Sequence, residues 1–352
     1  RKVNLIVNTF QFRQLSNLSV FILKAPSGAF LLLISFIISL IMKYSIVFPG
    51  QGSQSLGMLS DLRSNFLVVN EIFQEASDAI NIDLWKVINE DQELLNLTEN
   101  TQPIMLAAGY ATYKALSNEI ELSPEFMAGH SLGEYTALVA TGSLSFFDAV
   151  KLVRKRAELM QSAVPNGSGA MAAILGLDDK KVVQICTQSI DHGVVEAVNF
   201  NSPGQIVIAG EKEAVTNACE LMKIAGAKRA LILPVSVPSH CSLMTRASEE
   251  FKNSVEDINL KMSNTRVIHN VDADFALEVN EIKSKLVEQM CKPVLWTSIV
   301  QKMKESGIEK LIEVGPGKVL AGLTRRIDKS LTASAIIDTT SLKSTIEEIS
   351  NA

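Results

Sequence analysis

Short apolar runs alternate with amphipathic segments throughout residues 43–352, and this alternation constrains the fold more than any other feature. It is typical of α/β proteins with a largely parallel sheet. The stretch is longer than a single simple core usually grows, so we expect two lobes. The strand candidates are Tyr44–Phe48, Phe126–Ala128, Arg266–Val271 and Lys310–Val314. The helix candidates include Asn65–Ala79, Gln102–Leu116, Leu132–Ala140, Asp148–Ala163 and Val294–Glu305.

Residues 166–236 have a pattern of their own, strand-helix-strand-strand-helix-strand, which is the βαββαβ order of a ferredoxin-like subdomain. The predicted segments are Ala170–Leu175, Asp178–Ser189, Val194–Asn199, Gln205–Ala209, Lys212–Ile224 and Arg229–Val235. Chain-breaking residues flank the unit at Pro165 and Pro238. We therefore predict a small lobe inserted into a large lobe made of residues 43–165 and 237–342. A ligand cleft would lie between the lobes, and residues 343–352 would form a C-terminal tail.

The first 42 residues differ from the rest in composition. They carry four basic residues and no acidic one, and residues 25–42 form an uncharged run at the lower limit for a membrane-spanning helix. We interpret this leader as a mis-assigned start, with a membrane anchor or a targeting segment as alternatives. No comparable run follows, so nothing else in the chain indicates a membrane.

Charge and cysteine usage exclude further classes of protein. The whole chain has a net charge of −5, and residues 43–352 alone have 29 basic against 38 acidic residues, which argues against a general nucleic-acid binder. The four cysteines, Cys186, Cys219, Cys241 and Cys291, lack CxxC and metal-ligand spacing. We expect four buried free thiols, no metal site and a reducing, cytoplasmic location.

The most informative motif is Gly129-His130-Ser131-Leu132-Gly133, which matches G-x-S-x-G. It lies between a short apolar strand and a helix, the context of a nucleophile elbow that exposes its serine on a strained turn. The two glycines remove Cβ atoms that would clash in such a turn. Ser131 is therefore our candidate nucleophile.

A serine nucleophile needs a base, and the chain has four histidines. His130 is adjacent to the serine on the turn, and His192 lies in a predicted loop. His269 lies within an apolar strand, where a buried structural imidazole is usual. His240 follows a long apolar strand at the junction of the two lobes. We predict His240 as the base, with His269 as the alternative, and no acidic residue is marked as a third member.

An arginine lies on the apolar face of the predicted helix 148–163. Arg156 shares that face with Leu152, Val153, Leu159 and Met160. An inward guanidinium needs an anionic partner, because burial of an unpaired charge is costly. The partner is either an internal carboxylate in a structural salt bridge or a substrate carboxylate held by a bidentate fork.

Two glycine-containing loops resemble phosphate-binding loops without matching them. The segment 48–54 lacks the third glycine of G-x-G-x-x-G, and the segment from Gly315 lacks the Walker spacing and its Ser or Thr. A glycine loop beside a sheet can instead supply oxyanion donors. We predict the N–H groups of Gln51 and Leu132 for that role, with ordinary turns as the alternative.

Taken together, the motifs resemble the malonyl-CoA–acyl carrier protein transacylases of type II fatty acid synthesis. The matching segments run in order from residue 43 to about 340. They are FPGQGSQ (48–54), TQPIML (101–106), AGHSLGEYTALVA (128–140), GAMAAILGL (169–177), NFNSPGQIVIAG (199–210), PVSVPSHCSLM (234–244), HNVDA (269–273), PVLW (293–296) and EVGPGKVLAGL (313–323). His269 departs from the family, in which Asn is common at that position.

The resemblance implies an α/β-hydrolase-like large lobe and a two-step transfer of malonyl from malonyl-CoA to acyl carrier protein. It implies Ser131 as nucleophile, His240 as base and Arg156 as the clamp for the malonyl carboxylate. Gln51 and Leu132 would hold the oxyanion, and a backbone carbonyl near Gln289 would orient the histidine. No cofactor or metal is expected, and we predict a monomer.

Acyl carrier proteins are acidic, so basic pairs are candidates for docking. They are Lys180-Lys181, Lys228-Arg229 and Arg325-Arg326, with solvated surface as the alternative for each. Other functions stay open from the residues alone. They are a serine hydrolase or thioesterase, a non-catalytic carrier-binding subunit, a membrane-tethered acyltransferase, and a transacylase for a branched malonyl group in polyketide synthesis.

Overall fold

The computed structural model describes residues 42–235 and 237–351, so the predictions for residues 1–41 lie outside the described residues. The strands are β1 Tyr44–Phe48, β2 Phe126–Gly129, β3 Gly169–Leu175, β4 Val195–Ser202, β5 Gln205–Glu211, β6 Arg229–Ile232, β7 Arg266–Ile268, β8 Lys310–Val314 and β9 Thr332–Ile336. The helices are α1 Ser60–Asn65, α2 Leu67–Ile80, α3 Leu84–Glu90, α4 Gln92–Asn96, α5 Thr98–Glu119, α6 Gly133–Ala140, α7 Phe146–Ser162, α8 Asp179–Gln188, α9 Lys212–Ile224, α10 Thr245–Asp257, α11 Val279–Glu288, α12 Trp296–Glu305, α13 Val319–Ile327 and α14 Thr339–Ser350. None of the described helices is long and apolar enough to cross a membrane.

A five-stranded sheet forms the centre of the large lobe, in the order β7-β2-β1-β8-β9. All its pairings are parallel. Every residue of β1 is buried. Side chains alternate between the faces of a strand, and accordingly Ile46 and Phe48 belong to one apolar cluster and Val47 to another. Helices therefore cover both faces, as a parallel sheet requires.

A four-stranded antiparallel sheet, in the order β4-β5-β3-β6, forms the second unit of structure. Numbered within the unit, this order is 2-3-1-4, that of a ferredoxin-like subdomain. Helices α8 and α9 bury an apolar cluster against it, with Ile174, Ile208 and Met222 among its members. The predicted fold class, a hydrolase-like lobe with a parallel sheet plus a ferredoxin-like subdomain, is confirmed.

Several predicted segments end elsewhere in the structure. Strand β7 stops at Ile268 instead of Val271, because the next two residues turn their polar groups toward the elbow. Strand β6 stops at Ile232 instead of Val235. The predicted tail from residue 343 is wrong, since helix α14 begins with an Asp338 capping box and continues to Ser350. Of the four free cysteines, three are buried and Cys291 is only half-buried.

Candidate active site

The turn between β2 and α6 places Ser131 at the C-terminal end of the parallel sheet. Ser131 adopts a left-handed backbone conformation with φ of 51°. A Cβ on Gly129 would lie 1.8 Å from the backbone carbon of Gly133. A Cβ on Gly133 would lie 2.1 Å from the carbonyl oxygen of Phe48. Only glycine fits at either position, so the two glycines of the motif are required by close backbone contact.

His240 is the histidine that contacts the candidate nucleophile. Its Nε2 lies 2.7 Å from Ser131 Oγ, and its Nδ1 lies 2.6 Å from the carbonyl oxygen of Gln289. The backbone N–H of His240 donates to Met290 O at 3.0 Å. Because a carbonyl only accepts, Nδ1 carries the proton and Nε2 is free to take one from the serine. Burial, and then the charge of Arg156, lower the pKa of His240 to about 3, so the imidazole is neutral near pH 7.

The Arg156 guanidinium is buried beside the same serine and is only 1% exposed. Its Nη1 donates to Gln102 Oε1 at 2.8 Å, and its Nη2 donates to Gln289 Oε1 at 2.9 Å. Nη2 also lies 3.3 Å from Ser131 Oγ. Within the described chain Arg156 forms no ion pair, and its Nε has no hydrogen-bond partner. The alternative of a structural salt bridge to an internal carboxylate is therefore wrong.

The two predicted oxyanion donors line the same pocket. Gln51 and Leu132 border a cavity of about 340 Å³ together with Ser131 and His240. Among the described residues neither backbone N–H donates a hydrogen bond. The Gln51 side chain is engaged separately, since its Nε2 donates to Thr98 Oγ1 at 3.3 Å. Both N–H groups are thus free to bind an oxygen in the pocket.

The other histidines have different surroundings. His269, the alternative base, is buried, and its Nδ1 lies 2.8 Å from Glu134 Oε1 and not at the serine. His130 Nε2 lies 2.8 Å from Asn201 Oδ1, and burial lowers the pKa of His130. His192 is exposed. In the part of the chain that the structure describes, no group of three or more His, Cys, Asp or Glu side chains fits a metal ion.

Two polar residues that sequence reasoning did not single out complete the site. Asn270 Oδ1 accepts the backbone N–H of Ser131 at 2.7 Å, while its Nδ2 donates to Gly129 O at 2.7 Å. Gln102 binds Arg156. Both lie within motifs that carry the family resemblance, but no local pattern of spacing distinguishes them from structural amides.

Residues 45–346 match the acyl transferase domain family. The chain is 51% identical over 308 residues to the malonyl CoA-acyl carrier protein transacylase of Haemophilus influenzae, covering 87% of this chain and 98% of that protein. The chain belongs to the malonyl-CoA–acyl carrier protein transacylase family. The resemblance inferred from the motifs is confirmed.

Other members of this family agree in sequence and in structure. The Escherichia coli K12 transacylase is 48% identical, covering 87% of this chain and 99% of that protein. An acyl carrier protein S-malonyltransferase structure from Vibrio cholerae aligns with a TM-score of 0.84 at 49% identity, covering 86% of this chain and 99% of that one. A structure of a type II PKS acyl-carrier protein in complex with its malonyl-transacylase aligns with a TM-score of 0.86 at 47% identity, covering 87% and 99%.

Proposed function

We propose that the protein transfers malonyl from malonyl-CoA to the phosphopantetheine thiol of acyl carrier protein through a malonyl ester on Ser131, supplying fatty acid elongation. One observation carries this proposal: the buried cation of Arg156 has no ion-pair partner among the described residues and lies 3.3 Å from the Ser131 hydroxyl. An acyl group that fits there needs an anionic end near its reacting carbonyl. The malonyl carboxylate supplies that anion in a shape that a guanidinium binds through two hydrogen bonds.

The first half-reaction acylates the serine. His240 Nε2 takes the hydroxyl proton as Ser131 Oγ attacks the thioester carbonyl, and the N–H groups of Gln51 and Leu132 hold the oxyanion. The carbon–sulfur bond then breaks, and His240 returns the proton to the departing CoA thiolate. The Gln289 carbonyl keeps the imidazole in the tautomer that this exchange needs.

The second half-reaction runs the same steps with a different thiol. The carrier protein's phosphopantetheine thiol gives its proton to His240, and its sulfur attacks the ester carbonyl. The ester bond to Ser131 breaks, and Oγ recovers the proton from His240. Arg156 holds the malonyl carboxylate throughout, which keeps the acyl group in position for the carrier thiol and not for water.

The basic residues Lys228, Arg229 and Arg326 lie at one end of the small sheet, where an acidic carrier protein could bind them. Leu175 pairs with both Gln205 and Arg229 across the sheet. Arg326 Nη1 donates to Gln205 Oε1 at 2.5 Å, and the Lys228 side chain lies over the neighbouring Gly176. We take this end of the sheet as the docking surface for the carrier protein.

The proposal also includes a cytoplasmic monomer that works without a bound cofactor. The four free thiols support a reducing compartment. We also propose that residues 43–165 and 237–342 form the large lobe and that residues 166–236 form the small lobe. The separate apolar cluster of the small sheet supports that division.

The test is intact-mass measurement of the protein and of Ser131→Ala after incubation with malonyl-CoA and then with holo acyl carrier protein. We expect a malonyl adduct on the unaltered protein only, and its transfer to the carrier protein. Methylmalonyl-CoA in a parallel reaction measures the preference between linear and branched acyl groups.

Two results would contradict the proposal. An adduct that is lost to water in the presence of the carrier protein would indicate a hydrolase. The absence of any adduct would leave Ser131 a structural serine. A Ser239→Ala variant is the matched control, because it removes a hydroxyl beside the base and should keep the adduct.

A further inference from the structure

A carboxylate outside the proposed catalytic set is completely buried beneath the elbow. Glu134, in the first turn of α6, is 0% exposed. Its Oε1 accepts from His269 Nδ1 at 2.8 Å, and its Oε2 accepts from the Asn270 N–H at 2.9 Å and from Gln289 Nε2 at 2.9 Å. Burial of a carboxylate is costly unless several donors compensate it, and this one has three.

Gln289, one of those donors, contacts each proposed member of the catalytic set. Its backbone carbonyl binds His240. Its side-chain Oε1 accepts from Arg156 Nη2 at 2.9 Å, and its Nε2 donates to Ser131 O at 3.0 Å as well as to Glu134. The base is thus held by the backbone of Gln289, whereas the guanidinium is held by its side chain.

The carboxylate, together with the Ser131 carbonyl oxygen, fixes which way the Gln289 amide faces. An amide has a donating end and an accepting end, and a carboxylate can only accept. With Nε2 turned toward Glu134, Oε1 is turned toward Arg156 and receives its hydrogen bond. In the reverse orientation, an NH₂ group would face the guanidinium, two donors would meet, and an amide oxygen would face the carboxylate.

The negative charge of Glu134 also stabilises the charged form of the Arg156 guanidinium. Burial lowers the pKa of Arg156, and the Tyr135 hydroxyl and the Glu134 carboxylate raise it. No carboxylate forms an ion pair with Arg156 among the described residues, so Glu134 compensates its charge across the Gln289 amide. The space beside the guanidinium stays open for another anion.

We propose that Glu134 is a positioning residue for substrate recognition: by fixing the Gln289 amide, it holds Arg156 in place for the substrate carboxylate. The inference rests on the proposed function and goes beyond it. Because the base is held by a backbone carbonyl, loss of Glu134 should weaken selection of carboxylated acyl groups and leave the reactivity of Ser131 intact.

The test compares Glu134→Leu and Glu134→Gln in two assays. One is kcat/KM for malonyl-CoA, and the other is the rate at which an uncharged fluorophosphonate labels Ser131. We expect Glu134→Leu to lower kcat/KM by about tenfold or more, with KM raised, because a hydrogen bond to a charged group is lost. Labelling should change less than about threefold, within the effect of one weak contact.

Glu134→Gln should recover most of the loss. Its oxygen can accept from Asn270 and Gln289, and its NH₂ can donate to His269 in the other tautomer. Gln289→Met is a second variant in case Glu134→Leu does not fold, since it removes the amide and keeps the backbone carbonyl. It should reproduce the malonyl-specific loss. Glu249→Leu, on the surface of α10, is the matched control.

The outcomes separate this inference from the proposed function. Equal losses in malonyl transfer and in fluorophosphonate labelling for Gln289→Met and folded Glu134→Leu would make Glu134 a merely structural residue. Unchanged malonyl kinetics in both variants would also overturn the inference. A failure of the unaltered protein to form a malonyl adduct would instead overturn the proposed function.

Discussion

At the residue scale, the site places a permanent cation beside a base that has to stay neutral. Arg156 Nη2 and His240 Nε2 both contact Ser131 Oγ, at 3.3 and 2.7 Å. The hydroxyl accepts from the guanidinium and donates to the imidazole, and the charge of the arginine disfavours a second charge on the imidazole. A substrate carboxylate would neutralise that cation, so we expect binding to make His240 a stronger base as well as to orient the acyl group.

Burial of His240 and the charge of Arg156 together predict an unusual pH dependence of Ser131 reactivity in the free protein. The pKa of His240 is lowered to about 3, so fluorophosphonate labelling of Ser131 should not fall as the pH drops through about 6.5, where an ordinary histidine protonates. In Arg156→Met the pKa of His240 should rise, because one of the two main causes of its depression is gone. The acid limb of the labelling rate, which is the pH range in which labelling slows as His240 becomes protonated, should then move to higher pH.

The matched control is Arg154→Met, the same substitution on the same helix. Arg154 pairs with Glu158 and Glu99, away from the pocket, so its loss should leave the limb unchanged. A limb at the same pH in both variants would show that the charge of Arg156 does not act on His240.

The sequence could predict those residues that a local pattern marks. Ser131 is marked by the elbow motif, Arg156 by a charge on an apolar helix face, and His240 by its place at a lobe junction. Glu134 and Asn270 could not be found in this way. Their roles depend on hydrogen bonds between segments more than 130 positions apart in the chain, and no spacing rule connects such segments.

At the element scale, the elbow depends on two strands, β1 and β2, and helix α6 meeting without side chains between them. The carbonyl oxygen of Phe48, at the end of β1, occupies the space beside Gly133, at the start of α6. This close packing lets the helix N-terminus reach the sheet directly beneath Ser131, where it favours a developing negative charge.

Because the backbone is so closely packed at the elbow, we expect two glycine-to-alanine substitutions to have opposite effects on stability. Gly133→Ala should destabilise the protein by about 3 kcal/mol, because its Cβ would lie 2.1 Å from a carbonyl oxygen. Gly322→Ala, on the exposed side of α13 with nothing near its Cβ, should stabilise it by up to about 1 kcal/mol. Thermal unfolding measures both. Equal shifts would mean that the elbow relaxes to accept a methyl group.

The bounds of a helix or strand could be predicted where its pattern of apolar residues was continuous between chain-breaking residues. β1, β8 and α9 have the predicted bounds, since each is a continuous apolar or amphipathic run between breakers. β9 was not predicted, because its five residues, Thr332–Ile336, are mostly small and only two of them are buried. Its strand conformation comes from parallel pairing with β8.

At the scale of the whole molecule, two histidines with lowered pKa values couple folding to pH. Burial lowers the pKa of His240 and of His130. Once unfolded, both side chains would titrate near 6.5. Below that pH the unfolded chain binds more protons than the folded one, so stability is lost as the pH falls.

The free energy of unfolding should therefore decrease by up to about 1.4 kcal/mol per pH unit between about pH 6.5 and 5 because of His240, and His130 should act in the same direction. Urea midpoints across this range measure the slope. His240→Gln should reduce the slope, whereas His192→Gln, at an exposed position, should not. Identical slopes in the two variants would mean that His240 is protonated in the folded protein.

The position of β1 also affects the order in which the two sheets can form during synthesis. β1 lies in the middle of the large sheet, yet Tyr44 is paired with Lys310 on β8, near the other end of the chain. A growing chain on the ribosome exposes one edge of this fully buried strand until β8 emerges. The strands of the small sheet all lie within residues 169–232, so that sheet can form earlier. The central strand is thus among the first to be made and among the last to be enclosed.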